Sequence, residues 1–153
     1  MQAQLTLRSE SDTETLAQSL SKVLGAGDVI FLEGDLGAGK TFFARALIQT
    51  LMGIEGNVED VPSPSFTLVQ SYEFQNFDVW HVDLYRLQTA DSYELGLDDA
   101  CLTSLLLIEW PDRLGGSLEP SLTLAFTNAS DDQRGLNAVW RDEKFKPIFE
   151  GLI

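Results

Sequence analysis

Apolar and polar positions alternate over residues 4–8, the period-two pattern of a short strand. Ser11-Asp12-Thr13-Glu14 then has the form of a capping box, with Glu14 three residues after Ser11. Leu16, Leu20, Val23 and Leu24 follow at helical spacing, and Gly25 and Gly27 stop that helix. Val29-Ile30-Phe31-Leu32 is an unbroken apolar run, the signature of a strand covered on both faces, and it leads straight into a glycine-rich segment. A second helix is predicted over 40–52, with Phe43, Leu47, Ile48 and Leu51 on its buried side and Gly53 ending it. A loop with Pro62 and Pro64 comes next, followed by strands over 66–74 and 79–85 joined as an antiparallel hairpin. Residues 91–102 read as helical. Leu105-Leu106-Leu107-Ile108 is a second buried strand, stopped by Trp110-Pro111. Strands over 122–127 and 136–141 close the chain as a hairpin, and a short amphipathic end over 145–152 either packs back or frays.

Strand-helix-strand-helix followed mostly by strands implies an α/β fold, with a mixed parallel and antiparallel central sheet flanked by helices. At 153 residues the chain is expected to be one domain, 1–153, with 142–153 as its C-terminal tail. No repeat, low-complexity tract or long linker interrupts it.

Composition narrows the classes. The chain is 44% hydrophobic and 22% charged, as globular proteins are. No apolar run approaches the ~20 residues that span a bilayer. The start has neither the basic region nor the long apolar stretch of a secretory signal, so a cytoplasmic location is expected and no membrane partner. The glycosylation pattern Asn128-Ala129-Ser130 is accordingly idle. A lone Cys101 has no internal partner for a disulfide or a metal cluster, and Asp98 and Asp99 disfavour its thiolate; it reads as a half-buried helix-end residue. Ten basic residues against 24 acidic give a net charge of −14. With Lys22, Arg45, Arg86, Arg113, Arg134 and Arg141 scattered along the chain, autonomous binding to a nucleic-acid backbone is disfavoured, and a basic protein partner is easier to accommodate.

Chemistry concentrates between Gly34 and Thr41. Gly34-Asp35-Leu36-Gly37-Ala38-Gly39-Lys40-Thr41 fits the phosphate-loop pattern, with a strand before it and a helix after it. The glycines admit backbone conformations and close approaches that a Cβ blocks. Consecutive amides then face a phosphate at the positive end of a helix. Lys40 neutralises charge between the β- and γ-phosphates, and the Thr41 hydroxyl serves Mg²⁺. A P-loop NTPase fold binding ATP with Mg²⁺ is the expectation.

Such a site needs an acid near the metal and a group that orients the attacking water. Two candidates stand at strand ends. Glu109 follows the apolar run 105–108. Asp83 lies in Trp80-His81-Val82-Asp83-Leu84-Tyr85-Arg86, where alternation puts His81, Asp83 and Tyr85 on one face. That polar face serves a site or merely meets solvent. His81 reads first as a structural hydrogen bonder, and Trp110 either flanks the nucleotide or caps the core. Arg86 and Arg113 suit transition-state charge or a surface ion pair.

The order and spacing of the phosphate loop, Ser63-Pro64-Ser65-Phe66-Thr67-Leu68-Val69, His81-Val82-Asp83-Leu84-Tyr85-Arg86 and Ile108-Glu109-Trp110-Pro111 resemble the bacterial TsaE (YjeE) family over residues 5–142. The resemblance implies an ATPase required for threonylcarbamoyladenosine formation in tRNA, slow alone and working with the protein subunits TsaD and TsaB, so that tRNA is met only through the complex. It places Asp35, Leu36, Gly37, Ala38, Gly39, Lys40, Thr41, Phe42 and Trp110 on the nucleotide, and Thr15 near its base. Thr41 and Glu109 would serve Mg²⁺, and Asp83, Glu109 and Lys40 would be catalytic, Asp83 as the favoured acid. Ser63, Pro64, Ser65 and Thr67 would form a nucleotide-sensitive loop. Phe42 departs from the second threonine of many relatives, and Ser65 from their threonine. Two other readings compete: a non-hydrolysing ATP-dependent assembly switch, and a small-molecule P-loop kinase. The second lacks a visible arginine cluster for a lid, and no Asn-Lys-x-Asp segment supports a GTPase.

Overall fold

The apolar run at 29–32 becomes β2 (Val29–Glu33) and lies in the middle of the sheet. It pairs in parallel with β5 (Ser104–Glu109) on one side and β6 (Leu122–Asn128) on the other. The computed structural model describes residues 1–87, 94–115, 118–130 and 132–152. Among these, β4 (Asp78–Asp83) extends the parallel core beside β5, and β3 (Val69–Glu73) closes that edge antiparallel to β4. At the other edge β7 (Arg134–Trp140) runs antiparallel to β6 and to β1 (Gln2–Leu7). The sheet order is β1-β7-β6-β2-β5-β4-β3: four parallel strands, with antiparallel strands at both edges. This is the mixed α/β sheet expected from the element order.

Both faces of the parallel core are covered, which is why its two central strands, β2 and β5, carry unbroken apolar runs with no polar alternation. On one face α1 (Glu10–Ser21) and α2 (Lys40–Ile54) bring Leu16, Leu20, Phe43 and Leu47 against Ile30, Leu32, Leu105 and Leu107. On the other, Val29, Leu106, Ile108 and Val82 pack with Leu84, Leu87 and Leu97, the last from the short helix α3 (Leu97–Ala100).

Several boundaries move for identifiable reasons. Helix α1 starts at Glu10, because Ser9 and not Ser11 caps it: the Asp12 amide donates to Ser9 Oγ at 3.4 Å, and the Asp12 carboxylate accepts from the Arg8 amide at 2.8 Å. Helix α2 passes through Gly53 and ends before Gly56, which takes the left-handed conformation at φ 86°. Strand β3 begins at Val69 rather than 66. Leu68 has φ 68°, and its amide closes a turn onto the Pro64 carbonyl at 2.7 Å. Of the helix expected over 91–102, α3 covers four residues, while 91–93 lie outside the described residues. Cys101 caps the end of α3 half-buried, its thiol donating to the Asp98 carbonyl at 3.1 Å. No helix among the described residues is long and apolar enough to cross a membrane.

The C-terminal segment packs back. A 3₁₀ turn (Glu143–Phe145) and α4 (Lys146–Glu150) bury Phe145 and Phe149, and the Phe149 ring stacks on Trp140 with centroids 4.8 Å apart. Lys144 Nζ donates to Asp28 Oδ2 at 2.6 Å, pinning this end to the turn before β2. Truncating a fully buried phenylalanine removes its transfer energy and leaves a cavity. Phe149→Ala is expected to lower unfolding free energy by about 3 kcal/mol in urea titrations; a loss below about 1 kcal/mol would mean that this end contributes little to the core.

Candidate nucleotide-binding site

Strands β2, β4 and β5 are parallel, so their carboxyl ends emerge at one edge of the sheet. There β2 has β5 on one side and β6 on the other, the kind of crevice in which open α/β sheets take ligands. The segment leaving β2 must turn sharply to start α2. Gly34, Gly37 and Gly39 do so at φ 138°, 78° and 118°. At Gly34 a Cβ would also lie 2.6 Å from the Phe126 carbonyl oxygen of β6, so no other residue fits. Gly39 is the N-cap of α2 and supplies no side-chain cap, leaving the positive helix end free of a covering side chain.

Lys40, the first residue of α2, is buried at 4% exposure. Its ammonium donates to the Gly34 carbonyl and, at 2.9 Å, to the Asp35 carbonyl, and it lies 4.2 Å from the centre of the Trp110 ring. Burial holds its pKa below the usual lysine value, against the opposing pull of Glu109, Asp83 and Asp35. Trp110 reaches this position at φ 60°, a strained conformation for a bulky residue, and also meets Tyr85 with ring centroids 4.9 Å apart.

Next along the helix, Thr41 donates its hydroxyl to Glu109 Oε1 at 2.8 Å, with Oε2 at 3.1 Å. Glu109 ends β5 and is 1% exposed; His81 of β4, wholly buried, meets its Oε2 at 2.7 Å through Nε2. Asp83 ends β4 directly opposite Glu109 in the parallel register and is also buried. One of its oxygens accepts from the Tyr85 amide at 3.0 Å and the other from the Ser65 hydroxyl at 3.2 Å. His81 and Asp83 on the polar face of this strand are therefore turned inward, while Tyr85 beyond its end is exposed. Ser65 in turn meets Ser63 at 2.8 Å, so the 63–67 segment is tied to Asp83.

These groups surround a cavity of about 630 Å³. Of the residues proposed from sequence, Leu36, Gly37, Gly39, Lys40, Thr41, Phe42, Ser65, Asp83, Glu109 and Trp110 line it. Asp35 contributes its carbonyl to Lys40, and Ala38 is buried behind the loop. Ser63, Pro64 and Thr67 stand outside the wall; the Thr67 hydroxyl accepts from Gln70. Thr15 is not brought to the cavity. It is exposed on α1, its hydroxyl donating to the Ser11 carbonyl at 3.0 Å, and Thr13, on another side of the helix, lines the wall instead. Arg86 and Arg113 also lie elsewhere, Arg86 over the exposed Phe66 ring at 4.4 Å.

The far wall was not anticipated. Arg8, Ser9, Glu10, Thr13, Asp132 and Arg134 line the cavity there. The pairing of Leu7 with Arg134 across β1 and β7 brings the first and last strands side by side, so Arg134, read from the sequence as scattered, shares the cavity lining with Arg8. No local sequence pattern signals that pairing; only the strand register does.

Chemically, the site offers an uncapped helix end and a lysine for an anion, hard oxygen donors at Thr41 and Glu109, and a second carboxylate at Asp83. Among the described residues no group of three or more His, Cys, Asp and Glu side chains is placed to hold a metal alone. Thr41 and Glu109 are the oxygens that could hold a cation such as Mg²⁺, which takes one or two protein oxygens and completes its shell with phosphate and water.

Comparison with known proteins agrees with the motifs. The family model for "Threonylcarbamoyl adenosine biosynthesis protein TsaE" matches residues 7–136. A relative from Rickettsia conorii, named tRNA threonylcarbamoyladenosine biosynthesis protein TsaE, is 39% identical over 149 residues, covering 97% of this chain and 83% of the relative. The protein of the same name from Haemophilus influenzae is 37% identical over 126 residues, covering 81% and 77%. The crystal structure of Bacillus subtilis YdiB superposes with a TM-score of 0.75 at 27% identity, covering 99% of this chain and 94% of that one. Fold, motifs and relatives coincide over nearly the whole length, and the chain belongs to the TsaE family of tRNA threonylcarbamoyladenosine biosynthesis proteins.

Proposed function

We propose that the chain binds ATP with Mg²⁺ in this cavity and hydrolyses it, slowly alone and faster with the TsaD and TsaB subunits, in support of threonylcarbamoyladenosine formation on tRNA. The observation that carries the reading is the convergence of Lys40, Thr41, Asp83 and Glu109 at the carboxyl ends of three parallel strands around one glycine turn. A phosphate chain laid on the loop meets the amides at the start of α2. The Lys40 ammonium then exchanges the carbonyls of Gly34 and Asp35 for phosphate oxygens. Thr41 and Glu109, already in contact, would hold Mg²⁺, which supplies charge neutralisation to the transferring phosphoryl group. Asp83 is the acid assigned to the attacking water, since Glu109 is the one bonded to Thr41 at the metal position, while Asp83 holds only the Tyr85 amide and the loop hydroxyl of Ser65. Trp110 lies against the Lys40 ammonium in the wall of the cavity.

The overall charge of −14 suits docking on a basic protein surface and opposes direct contact with tRNA. One observation favours a second reading, the assembly switch without hydrolysis: the Ser65 to Asp83 bond links the site to a loop whose Phe66 is 81% exposed. Single-turnover measurement of bound ATP within the complex separates the two. Intact nucleotide in a complex that still modifies tRNA would establish the switch. The kinase alternative gains only Arg8 and Arg134 at the cavity, and phosphate transfer to a metabolite, followed by mass spectrometry, would revive it.

Lys40→Ala removes a charge-assisted contact worth about 1.5–3 kcal/mol and is expected to weaken ATP binding by roughly 10- to 100-fold in calorimetry. Wild-type affinity in that variant would refute the site. Asp83→Asn is expected to slow single-turnover hydrolysis by on the order of 100-fold while ATP affinity stays within about twofold, as for loss of a general base. Should affinity and hydrolysis fall together, Asp83 would be part of the binding site and not the acid that orients water.

A further inference from the structure

Among the described residues, His81 is the one buried ionisable group beside the cavity that the proposed chemistry leaves unused. It is wholly buried in the middle of β4, on the strand face that carries Asp83, and it does not line the cavity. Its Nε2 stands 2.7 Å from Glu109 Oε2, and its Nδ1 is buried without a hydrogen-bond partner. A carboxylate can only accept, so the ring proton sits on Nε2 and donates to Glu109. Burying an imidazole with one nitrogen unpaired is unfavourable in a core where a leucine would pack freely. The remaining gain is the bond to Glu109.

That bond occupies a specific place. Glu109 is met by Thr41 from α2, the helix that begins at the phosphate loop, and by His81 from within the sheet. The contact to His81 joins neighbouring parallel strands whose register is fixed by pairing His81 with Leu107 and Asp83 with Glu109. It therefore does not depend on how the glycine loop responds to a ligand. Without it, the carboxylate would be free to rotate toward Lys40, whose ammonium is already under its electrostatic pull.

We propose that His81 is a positioning residue: its Nε2–H fixes the Glu109 carboxylate against Thr41 in the orientation that receives Mg²⁺. The inference rests on the reading of Glu109 as a Mg²⁺ ligand. Outer-shell partners that orient a ligating carboxylate commonly change metal affinity by 10- to 100-fold.

The test is calorimetric titration of ATP into the purified chain at a series of Mg²⁺ concentrations and in EDTA, with thermal unfolding alongside. His81→Leu, close in volume and without a donor, is expected to raise the Mg²⁺ concentration for half-maximal effect by roughly 10-fold or more, while ATP affinity in EDTA stays within about twofold. His81→Gln can place an amide donor near the site of Nε2 and is expected to restore most of the Mg²⁺ response, whereas His81→Asn, whose shorter amide falls nearer Nδ1, is not. Unchanged Mg²⁺ dependence in His81→Leu, with the wild type clearly Mg²⁺-dependent, would overturn this inference and leave the ATP reading standing. A wild type indifferent to Mg²⁺ would overturn the parent reading and this inference with it. If the leucine variant does not fold, the glutamine and asparagine variants decide, and equal behaviour of those two overturns the proposal.

Discussion

A lysine ammonium buried beneath a turn of backbone sets the terms for the rest of this structure. Charge removed from water is costly unless dipoles or counter-charges replace the lost hydration. Around Lys40 the replacement comes from two peptide carbonyls of the turn itself, the face of Trp110, and the nearby carboxylates Asp83 and Glu109. Each has its own requirement. The carbonyls converge only because the glycines take positive φ, and Gly34 lies so close to β6 that no side chain is admitted. Trp110 reaches the ammonium only from a left-handed backbone position that its own side chain disfavours. The carboxylates arrive together only because β4 and β5 run parallel and in register with their acids opposite.

The parallel core meets that requirement through burial on both faces. Leu105 and Leu107 point to the helices, and Leu106 and Ile108 to the opposite layer. The strand that delivers Glu109 is therefore held from both sides and cannot slip register without exposing one of these sets. The edges of the sheet, antiparallel and partly open, carry none of the site acids. Precision is concentrated in the middle strands, at the ends that converge on the loop.

This division explains what was legible in the chain itself. The apolar runs at 29–32 and 105–108, the glycine spacing and the helix after it are local patterns, and β2, β5 and α2 follow them closely. The acids at 83 and 109 stand at strand ends as the sequence indicated, but the alternation left open whether Asp83 turns inward, and only the packing of the fold decides that. The far wall is different in kind. Arg8 and Arg134 are 126 positions apart and meet only through the pairing of β1 with β7, which no local periodicity encodes. The placement of Thr15 failed for a helical reason: a turn of α1 presents only some of its positions to the cavity, and Thr13 takes the inward one. The start of β3 moved because Leu68 adopts a left-handed conformation, which an apolar residue in an alternating run does not announce.

The hydrogen bond from Ser65 to Asp83 bears on how such a site can communicate. Asp83 receives the Tyr85 amide on one oxygen and the Ser65 hydroxyl on the other. Each oxygen keeps a lone pair for a further donor, but swinging the carboxylate toward a water strains the two bonds it already makes, and the hydroxyl on the loop is the weaker tie at 3.2 Å. Releasing Ser65 also loosens the segment bearing Ser63 and the exposed Phe66, which carries Arg86 over its ring. Rearrangement at the acid and rearrangement of the outer surface are then one event seen from two ends. By reciprocity, a protein that grips the loop alters the freedom of Asp83 as much as a ligand at Asp83 alters the loop. In an isolated chain both ends stay engaged.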